Sequence, residues 1–398
     1  MFTTGKRHTT LVAGLAAAAI VAAMSACGTS SGTSSGATAR IKIGLLASMS
    51  GTYQAIGTDI RDGFQLYLDL HGGKLGGHPI DLVVGDEGDG APTAVPAATK
   101  LIKQDHVAAL TGIVAGGSAA AVVPIASAAH IPTIGSSARP EFKDISWVWS
   151  TSYLSDEVGA AIAGYVHDTV HGNVFAIGPD YQGGWDELKG FTDAYTKAGG
   201  QLANPGGKTT WTPFPATTNF TPYFAQIKAS GAKAVYTFYA GGAAIDFVKQ
   251  YAQSDVKDVP LYAAGFLTEG GVLNAQGDAA RGIYSVLNYS PDLDNAANRS
   301  FVASWTAKHP GPPTTFAMSS FDAATILDKA IAANTADPTP EKINKSIGEL
   351  GTLDSPRGAW QLSQKTHSPI QKWYLRQVRQ DGRTIANTVV EDLATIGS

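Results

Sequence analysis

The sequence has few of the residues and motifs that carry cross-linking, metal binding or nucleotide chemistry. Cys27 is its single cysteine, which excludes a disulfide within the chain and leaves little prospect of a structural zinc site. Neither GxGxxG nor GxxxxGK[ST] occurs, so nucleotide binding has no support. The formal net charge of −4 supplies no basic field for nucleic acid. After the first 27 residues no apolar run is long enough to span a bilayer.

The N-terminus has the pattern of an exported protein. Lys6 and Arg7 precede an apolar run over 11–24, which is typical of a signal peptide. Met24-Ser25-Ala26 before Cys27 resembles the bacterial lipobox, with Met where Leu is usual. That resemblance implies cleavage before Cys27 and lipid on this residue. The alternative is an ordinary signal peptide that leaves an unpaired thiol, which is unusual outside the cell. Residues 28–39, rich in Gly, Ser and Thr, are predicted to be a flexible tether.

The stretch over 107–138 reads as strand, helix, strand, with a small-residue turn after each strand. Apolar runs without alternation are typical of strands buried on both faces of a parallel sheet. A crossover helix between them places both turns at the carboxyl edge, where open α/β sheets bind ligands. Gly116, Gly117 and Ser118 begin the helix and could cradle an anion, although Ser118 could simply cap the helix. Ser136 and Ser137 form the second turn.

Strand and helix patterns alternate over most of the chain after residue 40. Further strands are predicted over 40–47, 80–85, 173–178, 234–238 and 260–264. This alternation predicts an α/β fold of two Rossmann-like, doubly wound lobes. A strand over 282–289 could cross back to the first lobe, and helices over 296–309 and 319–333 would pack there. Three passages between the lobes would form a hinge on which they close around a ligand.

No catalytic or metal-binding set is complete. His167 and His171 are four residues apart, but the motif reads HDTVH without the Glu of HExxH, which favours interaction with a helix end. The segment 116–120 approximates the G-x-S-x-G elbow of hydrolases with Ala120 in place of the last glycine. A tethered hydrolase therefore stays an alternative, although His309 follows a helix and His367 lies in a late loop.

Aromatic residues recur in the turns after successive strands. They are Tyr53, Tyr181, Trp185, Tyr239 and Phe266. About half of such residues could be ordinary core or surface aromatics. Their recurrence at one sheet edge favours an apolar pocket with a few polar groups, the usual form of a small-molecule site.

Several segments resemble the solute receptors of branched-chain amino-acid type ABC importers, which are type I periplasmic binding proteins. They include IKIGLLASMSGTYQAIG, GGKLGGHPIDLVVGDEGD, IPTIGSS and GDAARG, and they cover nearly the whole chain after the tether. The resemblance implies two lobes and a three-strand hinge. The first lobe is expected over 40–153 plus 288–351, and the second over 154–287 plus 352–394.

The resemblance also implies where the ligand binds. Amino-acid receptors of this family hold the ligand carboxylate on two turns, which correspond here to 116–118 and 136–137. The serine that those receptors have in the first turn corresponds most nearly to Gly116, so Ser118 could replace it only from a shifted position. A family tyrosine matches Tyr181. Where those receptors keep an acid for the ligand ammonium, this chain has Gly265-Phe266, with Glu269 later. The segments FYAGGAAIDFVKQYA, PLYAAGFLTEGG and DSPRGAWQLSQKTHSPIQKWYLRQV resemble instead receptors of aromatic acids such as benzoates and phenylpropenoids.

The sequence is therefore interpreted as an extracytoplasmic, lipid-anchored and monomeric receptor of an ABC permease. It is expected to bind a small organic acid, best an aromatic carboxylate, without chemistry, cofactor, metal or nucleic acid. The alternatives are a branched-chain amino-acid receptor and the tethered hydrolase. The expected ligand residues are Tyr53, Gly116, Gly117, Ser118, Ser136, Ser137, Tyr181, Tyr239 and Phe266.

Overall fold

The computed structural model describes residues 40–382 and 384–397. The predicted signal peptide, Cys27 and the tether lie outside the described residues. The strands are β1 (Ile41–Ala47), β2 (Lys74–Leu75), β3 (His78–Asp86), β4 (Ala109–Gly112), β5 (Thr133–Gly135), β6 (Val148–Ser150), β7 (Val174–Pro179), β8 (Thr210–Thr212), β9 (Ala234–Thr237), β10 (Leu261–Ala264), β11 (Tyr284–Leu287), β12 (Gln361–Leu362), β13 (Pro369–Asp381) and β14 (Thr384–Ile396).

Helices separate most of these strands, as the alternation predicts. They are α1 (Gln54–Leu70), α2 (Ala91–Lys103), α3 (Gly116–Ala128), α4 (Glu157–Thr169), α5 (Gln182–Lys197), α6 (Thr221–Ser230), α7 (Gly241–Tyr251), α8 (Gly271–Gln276), α9 (Ala296–Thr306), α10 (Thr315–Ala332) and α11 (Pro340–Gly348). Within the described ranges no helix combines the length and the apolar character needed to cross a membrane.

The strands form two sheets. The first has the order β2-β3-β1-β4-β5-β6, and all of its pairs are parallel except the short edge pair of β2 with β3. In the second, β8-β7-β9-β10-β11 are parallel, and β13 closes the order antiparallel to β11 with β12 and β14 beside it. The predicted class, α/β with parallel sheets, is confirmed.

Both faces of each sheet are covered, which is why the strands read as uninterrupted apolar runs. On the first sheet, α2 and α3 bury Leu46 and Leu110 on one face, while α1 and α10 cover Leu45 on the other. On the second sheet, α7 packs over Val235, while α4 and α5 cover Tyr236 on the opposite face. The helix α10 packs against α1, although it follows β11 of the second sheet in the chain.

The chain therefore passes between the two sets of elements three times: after β6, after β11 and before β12. A buried polar network joins these passages. Gln371 donates to the carbonyl of Ser152 and accepts from Asn288, and Arg357 bonds to both Gln371 and the carbonyl of Thr151. The lobe boundaries given above stay a prediction, and this network lies where they place the hinge.

Two local expectations differ in part from the structure. The strand over 282–289 ends at Leu287 and stays in the second sheet, where it pairs with β10 and β13, so the return to the first sheet comes after it. The sequence pattern predicts a last strand over 373–378 and a turn over 380–382, and the structure has a strand there, β13, that is longer at both ends. The strand β14, which follows the turn and pairs with β13 in a long hairpin, was not predicted. The polar residues of β14 conceal its strand character.

Candidate functional site

A narrow cleft lies at the carboxyl ends of both sheets. It is lined by Tyr53, Ile56, Val114, Ala115, Gly116, Ser137, Ala138, Ser155, Tyr181, Gly183, Glu187, Phe238, Ala240 and Phe266. The residues up to Ala138 follow strands β1, β4 and β5, and most of the others follow strands of the second sheet. Each wall of the cleft is thus built by the turns of one sheet, as expected for ligand sites in α/β folds.

A buried carboxylate holds the first turn in place. Glu87 follows β3, and its two oxygens accept the backbone N–H groups of Val114 at 2.7 Å and Ala115 at 2.8 Å. Burial raises the pKa of Glu87, while these bonds and the nearby Ser118 hydroxyl oppose the rise. The helix α3 begins directly afterwards, at Gly116, which lines the cleft. The first N–H groups of a helix have no partner within the helix.

Two further acids of the same loop hold the turn that carries Tyr53. The Asp86 carboxylate accepts from the Met49 N–H at 2.8 Å and the Ser50 hydroxyl at 2.6 Å. Asp89 accepts from the Thr52 N–H at 2.6 Å. The acids at the end of β3 and in the loop after it therefore position two of the turns that the first sheet contributes, those after β1 and β4. The sequence does not disclose this role because the partners are 27 to 37 residues away.

Aromatic rings line much of the opposite wall. Tyr181 stacks on Phe214 with ring centres 4.3 Å apart, and Phe266 lies 6.1 Å from Phe238. The Tyr53 and Tyr181 hydroxyl groups interact across the cleft, and burial together with Tyr53 raises the pKa of Tyr181. Both phenols are therefore neutral near pH 7 and can donate hydrogen bonds.

Five of the nine predicted ligand residues line the cleft: Tyr53, Gly116, Ser137, Tyr181 and Phe266. Whether they bind a ligand stays a prediction.

The other four do not line it. Gly117 is exposed on the first turn of α3, and Ser118 is fully buried beneath it, so the expectation that Ser118 caps the helix is wrong because Ala115 holds that position. The Ser136 side chain is also fully buried. Tyr239 is 1% exposed and belongs to the core, where it bonds to the Thr212 hydroxyl and stacks on Phe247.

The acids that could have served an amino-acid ammonium lie elsewhere. Glu269 pairs with Arg376 at 3.0 Å and lines a separate cavity, and Asp180 accepts the indole N–H of Trp185 at 2.8 Å. The cleft instead contains Glu187, which the sequence analysis missed. The helical periodicity of the sequence could have indicated that Glu187 is buried, because it lies on the same face of α5 as the buried residues Gly184, Leu188, Phe191 and Tyr195.

Glu187 is the cleft residue with the most unusual electrostatics. It is 1% exposed, and its Oε2 atom has no hydrogen-bond partner within the described part of the chain. Burial, together with the nearby Asp186 and Asp156, raises the pKa of Glu187 well above its ordinary value. None of the described residues that line the cleft is Lys, Arg or His. The shift favours the neutral carboxylic acid form of Glu187, which can both donate and accept hydrogen bonds.

The two histidines considered for a metal do not form a pair on one helix. The helix α4 ends at Thr169, before His171, and the His167 Nδ1 atom lies 2.8 Å from the Asp168 carboxylate. Across residues 40–382 and 384–397, no group of three His, Cys, Asp or Glu side chains is arranged to hold a metal ion.

Comparison with known proteins places this geometry in a family. The model of the family described as "Periplasmic binding protein" matches residues 40–383. A Leu/Ile/Val-binding protein homolog 6 from Brucella melitensis is 27% identical over 365 residues, which are 88% of this chain and 91% of the relative. A solute-binding protein of an ABC transporter from R. palustris, solved with benzoate, is 33% identical with a TM-score of 0.82 over 90% of this chain and 98% of that one. A second from R. palustris, solved with 4-hydroxybenzoate, is 26% identical, with the same TM-score and coverage.

Proposed function

Because the chain belongs to the periplasmic binding protein family, we propose that it is the extracytoplasmic receptor of an ABC importer and that it captures a small aromatic carboxylate. The observation that carries the proposal is the cleft itself, an aromatic wall facing the N-terminus of α3. The benzoate and 4-hydroxybenzoate complexes of the two R. palustris proteins support the same ligand class. The receptor acts as a monomer and delivers its ligand to a membrane permease.

The two ends of such a ligand have matching groups in the cleft. A carboxylate needs donors, which the N–H groups at the start of α3 and the Ser137 hydroxyl can supply. The ring needs flat apolar walls, which Phe238 and Phe266 provide. Two lobes that close on the ligand remove both ends from water and so strengthen these contacts.

A branched-chain amino-acid ligand is the second candidate, and one observation favours it. Glu187 is a carboxyl group in the cleft without a partner among the described residues, so it could ionise to pair with a ligand ammonium. That pairing would have to offset the cost of charging a fully buried acid. The name of the Brucella relatives is compatible with this reading.

The hydrolase alternative has little to support it. The Ser118 hydroxyl is fully buried near Glu87, and no histidine of the described chain is hydrogen-bonded to it. A serine nucleophile needs an adjacent base and access to substrate. We therefore infer binding without chemistry.

Calorimetry should show that the protein binds benzoate-like acids more tightly than leucine. Phe266→Ala should weaken that binding by about 0.5–1.5 kcal/mol beyond the lost burial, because a ring contact is removed. The matched control is Trp211→Ala, since Trp211 is exposed and lies outside the cleft. Tight leucine binding with no response to any aromatic acid would overturn the proposed ligand class.

Cys27→Ser should release the protein from the membrane, because it removes the site of lipid attachment. Fractionation of cells that express the wild type and the variant tests this, and Ser34→Ala is the control within the predicted tether. The anchoring proposal fails if the Cys27 variant still sediments with membranes after a salt wash.

A further inference from the structure

Two neighbouring buried polar groups, one of which lines the cleft, lack hydrogen-bond partners among the described residues. Glu187 Oε2 has none among the residues that the structure describes, and neither does the hydroxyl of Tyr236, which is fully buried on β9. Glu187 lines the cleft, and burial together with the nearby Glu187 raises the pKa of Tyr236. Buried polar atoms in native proteins are nearly always hydrogen-bonded, so an unsatisfied carboxyl group at a cleft surface indicates a partner that arrives with the ligand.

The surroundings of Glu187 decide what kind of partner that is. The groups near Glu187 are acids and phenols. The acids are Asp186 and Asp156, and the phenols are those of Tyr153, Tyr181 and Tyr236. None of the described cleft-lining residues is a cation. A second carboxylate is disfavoured at this end of the cleft, whereas a neutral hydroxyl group can both donate to and accept from a carboxylic acid without burying a new charge.

We propose that Glu187 forms a subsite for a hydroxyl group on the ligand ring, so that the protein selects hydroxy-substituted aromatic acids over the unsubstituted acid. The inference rests on the proposed function, because it assumes that an aromatic carboxylate occupies the cleft. Gly116 and Ser137 belong to turns of the first sheet, while Glu187 lies on α5, which covers the second. The carboxylate and the hydroxyl of the ligand are therefore bound by different walls, and the hydroxyl is at ring position 3 or 4.

Titration calorimetry with benzoate and with 2-, 3- and 4-hydroxybenzoate tests the subsite on the wild type. We expect the 3- or the 4-hydroxy acid to bind about 10- to 100-fold more tightly than benzoate, because a site built to hydrogen-bond a hydroxyl group discriminates against the analogue that leaves it unpaired. The matched control ligand is 2-hydroxybenzoate, whose hydroxyl bonds to its own carboxylate. It should gain little over benzoate.

Two variants separate hydrogen bonding from shape. Glu187→Gln keeps one donor group and one acceptor, so it should retain the preference for the hydroxy acid to within about threefold. Glu187→Met fills a similar volume without a strong donor or acceptor, so it should lose the preference and bind the hydroxy acid and benzoate with affinities that agree to within about threefold. Thermal unfolding of each variant without ligand shows whether the fold is intact. If Glu187→Met does not fold, the wild-type ligand series and Glu187→Gln decide the question.

Several outcomes would overturn the subsite. A wild type that binds benzoate as tightly as all the hydroxy acids contradicts it, and so does a Glu187→Met variant that keeps the preference. Leucine binding that both variants abolish would assign Glu187 to a ligand ammonium instead. Benzoate binding without a hydroxyl preference leaves the proposed function standing, whereas no binding of any aromatic acid removes both.

Discussion

Arg357→Met should lower the free energy of unfolding by about 3–5 kcal/mol, because it leaves the Asp322 carboxylate buried without a counter-charge. The two side chains are each 1% exposed, and the Arg357 Nε and Nη2 atoms lie 3.0 Å and 2.7 Å from Asp322 Oδ2. Arg357 also bonds to Gln371 and to the carbonyl of Thr151. One side chain thus connects α10 with two of the three chain passages.

Urea unfolding of the purified protein measures this effect. The control is Lys189→Met, which removes a lysine from an exposed ion pair with Asp193 and should change the stability little. The double variant Arg357→Met with Asp322→Leu should be less destabilised than the sum of the single variants, since no unpaired charge remains. Additive losses in the double variant would contradict the argument, because they would mean that the pair contributes no coupling.

Glu87→Leu should weaken the binding of aromatic acids by at least about tenfold and lower the stability by about 2–4 kcal/mol. The reason is that two backbone N–H groups, those of Val114 and Ala115, would lose their acceptors, and each unsatisfied buried donor costs about 1–3 kcal/mol. The turn that begins α3 would then move to find new partners, and the predicted carboxylate site would move with it.

Calorimetry and urea unfolding on the same samples separate the two effects. Glu87→Gln should be intermediate, because the amide has one acceptor oxygen for two N–H donors. Glu349→Leu is the control, since the Glu349 carboxylate is exposed and pairs with the exposed Lys345. Wild-type affinity in Glu87→Leu would show that the turn at Gly116 does not hold the ligand.

Most of the elements could be predicted because their signals are local. The strand that ends before Gly116 is apolar apart from Thr111, and the helix after it begins within a residue or two of the expected position. The same holds for β7 and β9, so the turns at Tyr181 and Tyr239 could be assigned to one edge of one sheet. The β14 strand could not, because polar residues interrupt its apolar ones without a regular alternation and its partner β13 supplies the pairing.

Residue roles within the cleft could be predicted only in part. Tyr53, Tyr181 and Tyr239 all follow strands, yet Tyr239 packs into the core while the other two line the cleft. The rotation of each turn about its strand decides this, and a single sequence does not report that rotation. Glu187 was missed for a related reason, since a glutamate on a helix is usually solvated.

By itself, the sequence determined the alternation of strands and helices, the parallel sheets and the positions of the turns at their carboxyl edge. These follow from hydrophobic periodicity and from the glycine and serine residues that mark turns, and both signals extend over only a few residues. Only the tertiary structure decided that Glu87 holds the turn before α3, that Ser118 is enclosed and that Glu187 reaches the cleft. Those facts depend on distances between segments far apart in the chain, and burial of a polar group is a property of the whole packed molecule.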